Sequence, residues 1–67
     1  MYPNLNAELA RHDIHKKEIA EIWNCRLATV YDKLNGKYKV TLDEALAVRD
    51  ELFPEMDIEY LFKKNKS

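Results

Sequence analysis

KKEIAEIWNCRLATVYDKLN, the run from Lys16 to Asn35, decides how this chain folds. Ile19, Ala20, Ile22 and Trp23 recur at helical spacing, which predicts a helix from about Lys16 to Trp23. His15 stands at the capping position with Glu18 three places on, a capping-box pattern with a poorer cap than Ser or Thr. Asn24 comes next, and asparagine is the non-glycine residue that best tolerates the left-handed backbone needed where a helix stops. Asn24-Cys25-Arg26 then forms a tight join to a helix from about Leu27 to Leu34, with Val30 and Leu34 on one side. Asn35-Gly36 closes it. Two helices around a three-residue turn are the helix-turn-helix arrangement. Ile19 and Trp23 point inward from the first helix, and Cys25 and Val30 from the turn and the second. Ala20 falls where the helices cross, because only a small side chain lets two short helices pack at a steep angle.

The flanks add three more helices. One is predicted from about Asn4 to His12, capped by Asn4, with Leu5 and Leu9 on a shared face. Thr41-Leu42-Asp43-Glu44 is a capping box, and the helix it opens carries Leu42, Ala45, Leu46, Val48, Leu52 and Phe53 as its apolar set. Pro54 stops that helix. Asp57 caps a last short one, Ile58 to about Lys63, with Ile58, Leu61 and Phe62 inward, and the tail 64–67 is expected to fray. Sixty-seven residues with one glycine and 46% hydrophobic content fit one all-α domain, 1–67, with a modest core.

Charge is unevenly spread beneath a net −1. Arg11 to Lys39 holds seven basic and four acidic residues, +3, whereas Val40 to Phe62 holds one and seven, −6. One face is thus suited to approach phosphate and another is not. Cys25 is the only cysteine, so an intramolecular disulfide is impossible, and one thiol with two histidines does not make a structural zinc site. No apolar run nears the roughly 20 residues that span a bilayer, and no basic-then-apolar leader opens the sequence. A reducing cytoplasm, no membrane and no cofactor are the expectations.

Taken together, Ile19-Ala20, Val30, Leu34-Asn35-Gly36-Lys37, Thr41-Leu42-Asp43-Glu44-Ala45 and Asp57-Ile58-Glu59-Tyr60-Leu61-Phe62 carry a resemblance. The chain resembles the repressor-like helix-turn-helix family of phage and bacterial regulators, the Cro and xenobiotic-response-element type, over nearly its whole length. The resemblance implies a compact five-helix, lambda-repressor-like domain whose third helix lies in the DNA major groove. It also implies a transcriptional regulator on double-stranded DNA, often a homodimer on a palindromic operator. Relatives usually start the recognition helix with Ser or Thr and follow it with polar readers; here Arg26, Leu27 and Ala28 hold those places.

The candidate DNA-binding residues follow. Arg26 can bond a guanine edge or a phosphate, while Leu27 and Ala28 can touch only thymine methyls or sugar. Thr29 can reach a phosphate, and Tyr31 and Asp32 are the next outward positions. Asp32 can accept from a cytosine amino group. Asn35, Lys37 and Lys39 belong to a basic loop of the kind that touches the sugar-phosphate backbone in the resembling family. Lys16 and Lys17 sit at a helix N-terminus, where the dipole also favours phosphate.

Other groups have plainer readings. Trp23 belongs to the core by its motif position, Cys25 acts as a small hydrophobe, and His12 and His15 have no Ser or Cys partner at catalytic spacing. The acids of 43–59 make a solvated face, and no convergent catalytic set is present, so the expectation is not an enzyme. Lys63, Lys64 and Lys66 read as a soluble tail. Met56, Ile58, Tyr60 and Phe62 offer apolar area for a homodimer. The alternative is a protein-interaction module of the same fold that docks a partner through the apolar Leu27–Tyr31 face.

Overall fold

The computed structural model describes residues 1–64 and is all-α, with five helices in chain order. These are α1 (Pro3–Arg11), α2 (Lys16–Trp23), α3 (Leu27–Leu34), α4 (Leu42–Leu52) and α5 (Ile58–Leu61). α2 packs on α3 and α4, and α5 on α1 and α4. The predicted tail begins at Lys64, which is exposed; its last three residues lie outside the described ones.

Leu5, Ile19, Val30, Val48 and Leu61 are fully buried, one from each helix. Removing each such side chain from water contributes about 1.5–3 kcal/mol before ordering costs. Tyr2, Leu9, Ala20, Leu34 and Phe53 extend the same cluster. Trp23 is half-buried, and its indole N–H donates to the Glu44 carbonyl at 2.9 Å, tying α2 to α4. The inward positions expected of the helix-turn-helix thus reach the core.

Three consecutive helices stop in one way. After α1, α2 and α3 a residue with positive φ appears: Asp13 (54°), Asn24 (52°) and Gly36 (93°). The following N–H then reaches back five residues, Ile14 to Leu9, Cys25 to Ala20 and Lys37 to Asp32, at 2.8, 3.0 and 2.9 Å. This closure satisfies carbonyls that the helix end leaves unpaired. Asn24 was legible as a left-handed stop and Asn35-Gly36 as a helix stop; Asp13 was not. Gly36 carries the largest φ, where an L side chain is strained.

The caps divide. Thr41 accepts from the Glu44 N–H at 3.2 Å and donates its own N–H to the Glu44 carboxylate at 3.0 Å, the predicted capping box. Asp57 caps α5 by accepting from the Glu59 N–H at 3.2 Å. At α2 the Glu18 carboxylate accepts from the His15 N–H at 3.1 Å. Asn4, however, is not the cap of α1. Pro3 occupies the first turn, where its missing N–H costs nothing, so the boundary falls at Tyr2. Asn4 instead donates its side-chain N–H to the Tyr60 carbonyl at 2.9 Å.

Two further readings are corrected. α5 ends at Leu61 rather than near Lys63. Leu42, placed in the apolar set of α4, is 68% exposed at the first turn of that helix, where it lines an open hollow with Ile58 and Phe62. Glu8, in contrast, is a buried acid at 2% exposure. Its Oε2 accepts from the Tyr60 hydroxyl at 2.7 Å and from Arg11 at 3.1 Å, which joins α1 to α5. The Glu8 bond, ahead of burial and the Glu8 charge, holds the Tyr60 hydroxyl above its ordinary value.

Candidate nucleic-acid interface

α3 has two faces of opposite character. Val30 and Leu34 enter the core, while Leu27 and Tyr31, one turn apart, are 41% and 46% exposed. Ala28 and Arg26 are also exposed, whereas Thr29 and Asp32 are half-buried. Arg26 sits just before the helix in extended conformation (φ −76°, ψ 152°). That conformation aims the chain into α3 without spending the Arg26 side chain on a cap bond.

Leu27 and Tyr31 share a hollow with Lys16, Lys17, His15 and Asn6. The hollow therefore brings the start of α2 against the outer face of α3, joining candidates about a dozen residues apart in sequence. Lys16 Nζ stands 5.4 Å from the Tyr31 ring centre, a cation–π pair worth about 0.5–1 kcal/mol at an exposed site. His15 and Asn6 were not among the sequence candidates. Their signal is long-range placement, which no local pattern carries.

Beyond the other end of α3, Asn35, Lys37, Tyr38 and Lys39 are all exposed. Lys37 Nζ lies 5.6 Å from the Tyr38 ring centre, and Tyr38 itself is 53% exposed. Gly36 positions this loop, and the Met1 side chain packs where a Cβ would otherwise project.

The cations differ in what holds them. Lys33, on α3, makes an ion pair with Glu44 and lies 5.7 Å from the Trp23 ring centre. Burial pushes the Glu44 carboxyl up, but the Lys33 ammonium and the Thr41 N–H outweigh it and hold the group below its ordinary value. Among the described residues, Lys16, Lys17, Arg26, Lys37 and Lys39 enter no ion pair. Of the six cations on α2, α3 and their flanking turns, five therefore keep their charge open to an outside anion and one is spent on the fold. Elsewhere among the described residues, Arg11 and Arg49 are paired, and Lys63 and Lys64 are not.

Elsewhere, Cys25 is half-buried against the core, and the described residues contain no group of three His, Cys, Asp or Glu side chains placed to hold a metal ion. No described helix is long and apolar enough to cross a membrane. No family model, curated protein or solved structure matches the chain significantly.

Proposed function

We propose that this chain is a sequence-specific, double-stranded-DNA-binding transcriptional regulator of the phage-repressor-like helix-turn-helix kind, with α3 seated in the major groove. The observation that carries the reading is the set of five cations without ion pairs around an exposed α3, on a chain whose net charge is −1. Lysines that a fold does not consume, gathered at one helix and its flanking turns, are what a polyphosphate backbone recruits.

In this mechanism Arg26 and the exposed side chains of α3 meet base edges. Lys16, Lys17, Lys37 and Lys39 contact phosphates on either side. Lys16 and Lys17 also stand at the positive end of α2, where their mutual repulsion is relieved by an anion. Binding occludes an operator; no cofactor or small molecule enters the reading. Its setting is the cytoplasm, where the DNA is. Two copies bind half-sites about 34 Å apart. The homodimer pairs through the apolar hollow of Leu42, Ile58 and Phe62, a reading supported by the exposure of Leu42.

Selection of bound duplexes from a random pool tests the proposal. Enrichment of a short palindrome, with affinity lost in Arg26→Ala, supports it; an unenriched pool sinks it. A second reading rests on the exposed Leu27 and Tyr31, which equally suit a protein partner. In that case capture of a partner is abolished by Leu27→Asp and duplex affinity shows no salt dependence.

A further inference from the structure

We infer that α3 reads thymine by its 5-methyl group, so that the operator half-site places thymines beneath Leu27, Ala28 and Tyr31. This deepens the DNA-binding reading above and rests on it.

The inference begins with what the exposed side of α3 lacks. Leu27 and Ala28 bring no side-chain donor or acceptor, and Thr29 and Asp32, which do, are half-buried. Of the exposed side chains at the start of the helix, Arg26 alone is a strong hydrogen-bonding group. Beyond Arg26, and the single hydroxyl of Tyr31, the exposed side of α3 has no side chain for a readout by paired hydrogen bonds in the manner of Gln or Asn on adenine.

The major groove offers one apolar group large enough to bury, the thymine methyl; thymine O4 and the edges of the other three bases present donors or acceptors. Set over a G·C pair, Leu27 would strip water from the cytosine amino group or guanine oxygen and return no partner, which is unfavourable. Set over the thymine methyl, the same side chain covers an apolar group and can leave the neighbouring O4 and the adenine edge to water. Discrimination therefore arises from both terms, one attractive and one repulsive.

The surroundings select DNA as the occupant of this apolar strip. Lys16 and Lys17 line the same hollow as Leu27 and Tyr31, and Arg26 precedes the strip directly. An apolar strip bordered by cations with no ion pairs matches the floor and walls of an A·T-rich major groove, methyl groups between phosphate rails. Tyr31 adds a second apolar contact one turn further along, its ring beside the Lys16 ammonium.

The test replaces thymine by deoxyuridine in the enriched duplex, which deletes the methyl and keeps every pairing and groove hydrogen-bonding group. Affinity is measured for the wild-type chain and for Leu27→Ala, whose exposed position leaves helix content intact by circular dichroism. The wild type should lose about fourfold in affinity for each contacted methyl. In Leu27→Ala that loss should shrink toward none at the thymine Leu27 covers. Equal wild-type affinity for the thymine and deoxyuridine duplexes overturns the inference and leaves DNA binding standing. A deoxyuridine penalty undiminished in both Leu27→Ala and Tyr31→Ala also overturns it, since the methyl would then act through duplex shape. A pool that enriches nothing removes the DNA reading and this inference together.

Discussion

Two apolar patches stand out among the described residues, and the charge around them differs. The first is Leu27 and Tyr31 on α3, with Lys16 and Lys17 in the same hollow and Arg26 beside it. The second surrounds Leu42, Ile58 and Phe62 where α4 begins and α5 lies, with one acid, Glu59, and one lysine, Lys64, in its lining and Asp43 next to Leu42. The chain from Val40 to Phe62, which contains the second patch, sums to −6. Apolar area alone identifies no partner, because both patches have it. The charge around it separates them: two lysines and no acid line the first, whereas an acid and a lysine offset each other at the second. A polyanion is therefore drawn to the first more than to the second. Lys33 sharpens the contrast, since the one α3 lysine close to the acidic half is already paired with Glu44.

The largest effects are expected where side chains are not exposed at all. Leu61→Ala or Ile19→Ala, at fully buried positions, should cost about 2–5 kcal/mol of stability by chemical denaturation. Leu27→Ala, on an exposed face, should change stability by less than about 0.5 kcal/mol and act on DNA affinity instead. A Leu27→Ala cost like that of Leu61→Ala would show that the first patch is core. Gly36→Ala should cost about 1–3 kcal/mol, because φ of +93° strains any Cβ, and should weaken binding through the Lys37–Lys39 loop.

Glu44→Gln should cost roughly 1 kcal/mol at neutral pH, since both members of the Lys33 pair keep some solvent. The folded carboxyl titrates below its ordinary 4.5, so its contribution is complete above that pH. It fades as pH falls through the folded value, and the variant should show a flatter acid decline in denaturation curves. An unchanged acid decline would remove Glu44 as a contributor. Smallest in stability, within about 0.5 kcal/mol, is Leu42→Glu at the second patch. It should nevertheless shift sedimentation from dimer to monomer; unaltered sedimentation of a dimeric wild type would move the pairing surface elsewhere.

Local signals were legible in the sequence, and long-range ones were not. Thr41 and Asp57 as caps, Asn24 as a left-handed stop, Asn35-Gly36 as a helix end, and Ile19, Val30 and Leu34 as core all rest on spacing within one helix or turn. Asp13 was missed because aspartate adopts positive φ only as a minority habit. Asn4 misled because its good capping chemistry hid the Pro3 signal beside it. Glu8 and Lys33 depend on partners 52 and 11 positions away, Tyr60 and Glu44, and no periodicity reveals such a pairing. For the candidate interface, the residue types were visible. Which lysines the fold consumes emerged only from the packing of α2 and α3 on their neighbours.

The contrast between spent and open cations is tested most directly by the salt dependence of affinity for the enriched duplex. The wild-type chain, Lys37→Gln and Lys33→Gln would be measured side by side. The wild type should show a steep negative log–log slope of about −0.9 for each phosphate neutralised. Lys37→Gln should make it shallower by about one, and Lys33→Gln should leave it unchanged while lowering stability. A flat dependence in the wild type, or a slope that responds to Lys33 as much as to Lys37, would contradict the assignment of α3 and its flanking lysines to DNA.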